Sequence, residues 1–364
     1  MIKLLHVADL HLDCNDRERA YSLGVLNEIA RICVELKVDC LLFAGDVFNS
    51  LADAEELRTE FRKVTDPLPC PVVYVPGNHE ELETKGRDLR SFEWGDIYLL
   101  DQKPFDVVTI GKGFKAFEVL SVPHQPDYTG YHEWNVPLKK TNVRVAVAHG
   151  VVLGMSYAGP DIEEGGTAID PDLFCRYEVD YAALGHIHVR PNDITERNTT
   201  ISYAGSPRVW RTGESGPRGC LAIDLEPERK PAVRFVTLQT AGLFHRVDVP
   251  LAPDGTTTEI ETSIEWSRND LVKLHLSGMV EREEQVVEAG KRLTKELAPK
   301  VRYLKVDTRA VQILAGVADE PVARKFLDLW NTRRPPEGSD EYELWVRARQ
   351  LGLSELTIRL EREK

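Results

Sequence analysis

Eight residues that can bind or polarise recur at the ends of apolar runs: Asp9 and His11, Asp46, Asn78 and His79, His149, and His186 with His188. Carboxylates, an amide and imidazoles, with no thiolate among them, suit hard or borderline divalent ions such as Mn²⁺, Fe²⁺ or Zn²⁺ rather than copper or an iron–sulfur cluster. Seven of them, with one carboxylate shared, are about what two ions need. The spacing has a physical reason. In extended backbone the outer residues of Asp9-Leu10-His11 and His186-Ile187-His188 project to one face, so both can converge on one side of a strand end. His186 and His188 can then serve different ions, with Asp46 bridging the two.

The elements that must position these groups are buried parallel strands. Leu4–Ala8, Cys40–Ala44, Val72–Pro76, Val143–Ala148 and Tyr181–Leu184 are apolar runs that stop on chemistry-bearing residues, and parallel sheets bind ligands outside their carboxyl ends. Leu23, Leu26, Ile29, Cys33 and Leu36 repeat at helical steps between the first two runs. Asp53–Val64 predicts a second helix, opened by Asp53 with Glu56 three residues on. Pro67, Pro69 and Pro71 force an extended entry into Val72. This βαβαβ order implies a parallel core. Beyond Arg87, shorter alternating runs (Val107–Ile110, Phe114–Val119, Thr200–Tyr203, Gly219–Asp224, Val233–Leu238) predict a second, more antiparallel layer. Together they predict an α/β fold, a two-sheet α/β sandwich with outer helices.

At 364 residues the chain exceeds one ordinary domain. Residues 1–240 carry every site motif; residues 241–309 read as a small α+β domain with strands at Phe244–Pro250, Leu271–Leu276 and Arg302–Asp307 and a helix at Glu281–Leu297. Residues 310–364 read as a helical tail, with helices at Asp319–Thr332 and Ser339–Leu351. Its apolar groups either fold back on their own chain or dock on a partner. The apolar fraction of 42% and charged fraction of 29% fit a globular protein, with no run long enough to span a bilayer. No signal peptide is expected, and a cytoplasmic location is. The six cysteines form no Cys-x-x-Cys pair and read as buried hydrophobes, Cys14 included. A net charge of −13 excludes a protein that coats nucleic acid indiscriminately, but not a nuclease, because bound cations and a local basic rim escape that sum.

Asp9-x-His11, Gly45-Asp46, Gly77-Asn78-His79-Glu80, His149-Gly150 and Gly185-His186-x-His188 resemble, in order and over about 240 residues, the calcineurin-like metallophosphoesterases. Leu184-Gly-His-Ile-His188 followed by Tyr203-Ala-Gly-Ser-Pro207 is similar to the SbcD-type nucleases, bacterial relatives of the meiotic recombination nuclease. Glu214-Ser-Gly-Pro-Arg-Gly219 is similar to their YhaO-like branch. Phosphoprotein phosphatases instead carry Gly-Asp-x-x-Asp-Arg-Gly, where this chain has Gly45-Asp-Val-Phe-Asn-Ser50.

The resemblance assigns Asp9, His11, Asp46 and His188 to one metal and Asp46, Asn78, His149 and His186 to the other, with two Mn²⁺ ions as cofactors. His79 is left as the catalytic histidine. Relatives orient it with an Asp or His where this chain has Asn49, whose amide can hydrogen-bond an imidazole but brings no charge. Arg190, Arg208, Trp210, Arg211 and Arg218 cluster around the last motif, and guanidinium and indole groups suit phosphates and bases. The function implied is an Mn²⁺-dependent DNA exonuclease and endonuclease in double-strand-break repair. Its implied substrates are duplex ends and single strands. The implied assembly is two nuclease chains, 241–309 capping the DNA, and an SbcC-type coiled-coil ATPase docked on 310–364. The rivals are a small-molecule or nucleotide phosphodiesterase and a DNA-end-binding scaffold with a vestigial site.

Overall fold

Strand β1 (Ile2–Val7) alternates its buried side chains between two cores. Leu5 and Val7 pack outward under helix α1 (Asp16–Leu36), while Leu4 packs inward towards a second sheet. The computed structural model describes residues 1–80, 88–157, 166–257, 265–314, 321–336 and 340–362. They form two compact units, Met1–Phe244 and His245–Lys364.

In the first unit β1, α1, β2 (Cys40–Ala44), α2 (Leu51–Thr65) and β3 (Val72–Val75) are the βαβαβ core, with β1, β2 and β3 parallel. Next come β4 (Tyr98–Leu99), β5 (Asp106–Ile110), β6 (Phe117–Val122), β7 (Arg144–His149), β8 (Val151–Val152), β9 (Ala168–Ile169), α3 (Asp172–Arg176) and β10 (Tyr181–Gly185). The unit closes with β11 (Ile194–Glu196), β12 (Thr199–Tyr203), β13 (Gly219–Leu225) and β14 (Ala232–Thr237). Two six-stranded sheets result, ordered β14-β13-β1-β2-β3-β4 and β11-β12-β10-β7-β6-β5. Val145, Val147, Tyr181 and Ala183 face Leu4, Leu42, Val73 and Val75 across the interior.

The second layer is less antiparallel than its sequence texture implies. Strands β6, β7, β10 and β12 run parallel, and only β5 and β11 at the edges run against them. The apparent alternation arose from polar residues that are in fact buried. Glu118 pairs with Arg144 at 2.7 Å inside the protein, and the Thr199 hydroxyl donates to the Val179 carbonyl at 2.6 Å. Strands β13 and β14 return to the first sheet, where β13 pairs antiparallel with β1.

Helix α2 begins two residues before the predicted start, and its cap is Ser50. The Ser50 hydroxyl accepts from the Asp53 N–H, which places Asp53 inside the first turn. Asp53 instead accepts the Cys14 N–H at 2.9 Å, tying the loop after β1 to the loop after β2. Cys14 packs against the outer core, and all six cysteines are free thiols.

In the second unit β15 (Phe244–Leu251), β16 (Leu271–Val280) and β17 (Tyr303–Ile313) form one sheet. Helix α4 (Glu283–Leu297) covers it through Ala289, Leu293 and Leu297. Helices α5 (Pro321–Asn331) and α6 (Asp340–Arg362) follow; the expected starts at Asp319 and Ser339 lie outside the described residues. Ala323 and Leu353 are buried with Met279 of β16, so these helices fold back in part, while Val322, Leu329, Leu344 and Leu351 stay exposed. No described helix is long and apolar enough to cross a membrane.

His6 crosses the interior of the first unit. Its Nδ1 meets the Tyr181 hydroxyl at 3.0 Å and its Nε2 the Leu184 carbonyl at 3.1 Å, and burial pushes its pKa down to about 3. Unfolded, the same ring titrates near 6.5. The unfolded chain therefore binds the extra proton, and this contribution is full above about pH 6.5 and lost as pH falls towards 3. In denaturant titrations over that range, His6→Gln should flatten the decline in stability relative to the unsubstituted protein; equal slopes would show that His6 does not resist protonation in the fold.

Candidate metal centre

The loops that follow β1, β2, β3, β7 and β10 meet at one edge of the sandwich. Their convergence is not produced by extended triplets. Asp9 (φ 54°), His11 (47°), Asp46 (50°) and His186 (98°) all adopt left-handed backbone, which corrects the same-face argument for Asp9-x-His11 and His186-x-His188. Side chains rarely take that conformation, and where they do the surroundings must enforce it. Here the enforcement is visible. Asp9 N–H donates to the Gly45 carbonyl at 3.0 Å, His11 N–H to the Asp46 carbonyl at 2.9 Å and His186 N–H to Asp9 Oδ1 at 2.8 Å. Gly45, at φ 84°, has no alternative, since a Cβ there would lie 2.0 Å from His149 Nδ1.

Among the described residues, three clusters of ligand atoms lie in this centre, each within 4.8 Å: Asp9, His11 and His188; Asp46, His149 and His186; and His11, Asp46 and His79. Asp46 is shared. Its Oδ1 accepts the His79 N–H at 3.0 Å, and its Oδ2 faces His149 Nε2 at 3.3 Å and His11 Nε2 at 4.0 Å. Asn78 Oδ1 lies between His149 Nε2 (2.9 Å) and His186 Nδ1 (3.1 Å), and His11 and His188 oppose their Nε2 atoms at 3.1 Å. Hydrogen bonds set the tautomers. The Ala44 carbonyl can only accept, so His149 donates its Nδ1 proton to it, 3.0 Å away, and turns Nε2 into the site.

Both carboxylates are completely buried, yet respond in opposite directions. Burial raises Asp9 to about 6, whereas for Asp46 the imidazoles of His149, His11 and His79 outweigh burial and hold it far below the usual carboxylate range. His149 answers Asp46. Burial alone would lower it, but the facing carboxylate raises it to about 10.

These residues fit a pair of divalent cations. Among the described residues, Asp9 Oδ2, Asp46 Oδ2 and His11 Nδ1 are buried with no hydrogen-bond partner, and buried charge of this kind is costly unless paired or coordinating metal. The donors are oxygen and imidazole nitrogen only, the set that hard and borderline ions take.

His79 departs from expectation in its partner. Its Nδ1 lies 2.9 Å from the Asn49 backbone carbonyl, while the Asn49 amide oxygen is buried without a hydrogen bond. The residue type at 49 therefore matters less than its place in the loop, because any residue offers a carbonyl. Two of the five expected DNA contacts are also redirected. Arg208 is fully buried and donates to Leu10 and His11 carbonyls and to Glu18; Arg218 donates to the His188 and Ser215 carbonyls. Arg190 is paired with Asp193 at 2.8 Å. Trp210 stacks on His11 at 3.9 Å with 4° between the rings, and the Arg211 guanidinium lies over its indole at 4.1 Å.

Two buried carboxylates went unassigned in the sequence, although both stand inside quoted motifs. Glu80 accepts the N–H groups of Asp46 (3.0 Å), Phe48 (2.9 Å) and Gly77 (2.7 Å), stapling two ligand loops together. Glu214 accepts from His188 Nδ1 at 2.6 Å, and this bond outweighs its burial and keeps its pKa low. The signal for each was an acidic residue beside a ligand motif, which on its own reads as surface charge.

Fold and donor set define a metal-dependent hydrolase on a two-sheet sandwich. The chain belongs to the calcineurin-like phosphoesterase family, whose model matches residues 2–190, and members of that family work with a pair of divalent ions. It is similar to the DNA double-strand break repair protein Mre11 of Saccharolobus solfataricus, at 23% identity over 325 residues, 82% of this chain and 77% of that one. It is also similar to a subunit of the nuclease SbcCD of Bacillus subtilis, at 25% identity over 276 residues, 66% of this chain and 70% of that one. Among solved structures, a dimetal phosphatase from Danio rerio aligns over 65% of this chain and 96% of its own, at 11% identity and a TM-score of 0.40.

Metal analysis separates the roles of the shared carboxylate and the histidine beside it. Asp46→Ala should lose the second equivalent of Mn²⁺ after dialysis, while His79→Ala should retain both; loss of an ion from His79→Ala would make His79 a ligand, as its cluster with His11 and Asp46 permits.

Proposed function

We propose that the protein is an Mn²⁺-dependent DNA phosphodiesterase, acting as exonuclease on duplex ends and endonuclease on single strands in double-strand-break repair. The observation that carries this reading is the convergence of strand-end ligands on the shared Asp46 carboxylate. The similarity to the Mre11 protein adds support, because it spans 82% of the chain and so runs well past the 189 residues of the family match.

Asp9, His11, Asp46 and His188 would hold one ion and Asp46, Asn78, His149 and His186 the other. When bound, such a pair supplies Lewis-acid charge to the oxygens of a phosphodiester. The remaining work falls to the chain. His79 donates its Nδ1 proton to the Asn49 carbonyl and turns Nε2 to the leaving oxygen, which it protonates as general acid from the imidazolium form, with a proton on each ring nitrogen. Trp210 and Arg211 stand beside His11 and offer an aromatic plane and a guanidinium to a nucleic-acid strand. Arg208 and Arg218 shape the loop that presents them.

The working assembly would pair two nuclease chains with an SbcC-type coiled-coil ATPase. The exposed Val322, Leu329, Leu344 and Leu351 offer the docking residues, and residues 241–309 the cap over DNA.

Purified protein should degrade linear duplex and hairpin DNA with Mn²⁺ and not with chelator. His79→Ala should lose about 10²–10⁴-fold in turnover. Arg211→Ala should raise KM for DNA while leaving hydrolysis of a small phosphodiester intact. Hydrolysis of the small ester alone, with DNA untouched, would favour the nucleotide phosphodiesterase and contradict the DNA reading.

A further inference from the structure

The segment Ser206–Arg218 grips the ligand residues of one ion only through contacts that begin outside the site. The Ser206 hydroxyl donates to the Asp9 carbonyl at 2.9 Å, Arg208 Nε to the Leu10 carbonyl at 2.7 Å and its Nη2 to that of His11. Arg218 Nη1 donates to the His188 carbonyl at 2.6 Å. Trp210 covers the ring of His11. At the middle of the segment, Glu214 is fully buried and uses both oxygens: Oε1 takes the His188 Nδ1 proton at 2.6 Å, and Oε2 takes the Trp210 N–H at 2.8 Å. One side chain thus joins a ligand imidazole to the backbone amide of the residue whose indole covers the neighbouring ligand.

The other three ligands are held by different means. His149 gives its Nδ1 proton to the peptide carbonyl of Ala44, and Asn78 Oδ1 stands between His149 and His186. A carboxylate behind an imidazole fixes the tautomer and ring orientation and strengthens the opposite nitrogen as a donor, more than a neutral carbonyl does. Behind His188 stands a carboxylate, and behind His149 a neutral peptide carbonyl.

We propose that Glu214 is a positioning residue for a single ion, the one held by Asp9, His11, Asp46 and His188, and that it makes the two ion-binding steps separable. This rests on the reading that two ions share Asp46. Removing such an outer partner typically costs 10–100-fold in metal affinity. Glu214 acts through His188 and Trp210 and need not touch substrate.

The test is a calorimetric Mn²⁺ titration of the full-length protein, with electron paramagnetic resonance following the conversion from isolated to exchange-coupled Mn²⁺. Glu214→Gln should leave one binding step unchanged and weaken the other about 10–100-fold, so that an uncoupled Mn²⁺ signal persists at concentrations that give the coupled signal in the unsubstituted protein. Glu214→Ala should weaken the same step at least as much, and His188→Ala should abolish it. Weakening of both steps together, no change in either, or a Glu214→Gln protein that does not fold would each make Glu214 a general structural residue and overturn the assignment. A failure of the underlying reading looks different: the unsubstituted protein would bind one ion or none and never give the coupled signal.

Discussion

Two carboxylates, Asp9 and Asp46, are buried at the edge of a sandwich whose two sheets pack apolar side chains against each other. Much of the surrounding structure exists to make that tolerable. Each is gripped through one oxygen by a backbone N–H, His186 for Asp9 and His79 for Asp46, which leaves the second oxygen directed into the site. The imidazoles that face Asp46 lower its pKa; in return the carboxylate raises His149, whereas burial outweighs it at His11 and lowers that ring. Divalent cations would supply compensating charge here, and their binding would then be coupled to local folding.

Holding those groups requires backbone that most residues avoid. Four ligand residues in left-handed conformation are kept there by loop-to-loop hydrogen bonds and by Glu80, which collects three N–H groups from the Asp46 and Gly77 loops. The strain is concentrated where the chemistry is, and the parallel strands behind it supply the rigidity. Asp53, reaching from the first turn of α2 to the Cys14 N–H, couples the first two loops from the outer side.

What the sequence made legible follows from these causes. Apolar runs ending on Asp, His or Asn reveal both the parallel core and its site, because burial on two faces removes alternation and leaves chemistry only at the ends. What it hid was polar residues in the interior. Glu118 stood in a run that read as alternating and antiparallel, and only the fold shows its buried partner Arg144. Arg208 and Arg218 read as a basic rim for the same reason: one sequence cannot distinguish a guanidinium that meets phosphate from one that satisfies loop carbonyls. The His79 partner was misread because side chains are visible in a sequence and carbonyls are not.

The central claim is that one carboxylate joins two ion sites. Crystals soaked in Mn²⁺ and measured at the manganese absorption edge test it most directly. The account predicts two anomalous peaks on opposite sides of Asp46, about 3.5–4 Å apart, one beside His11 and His188 and the other beside His149 and His186. A single peak, or two peaks that do not share Asp46, would contradict it.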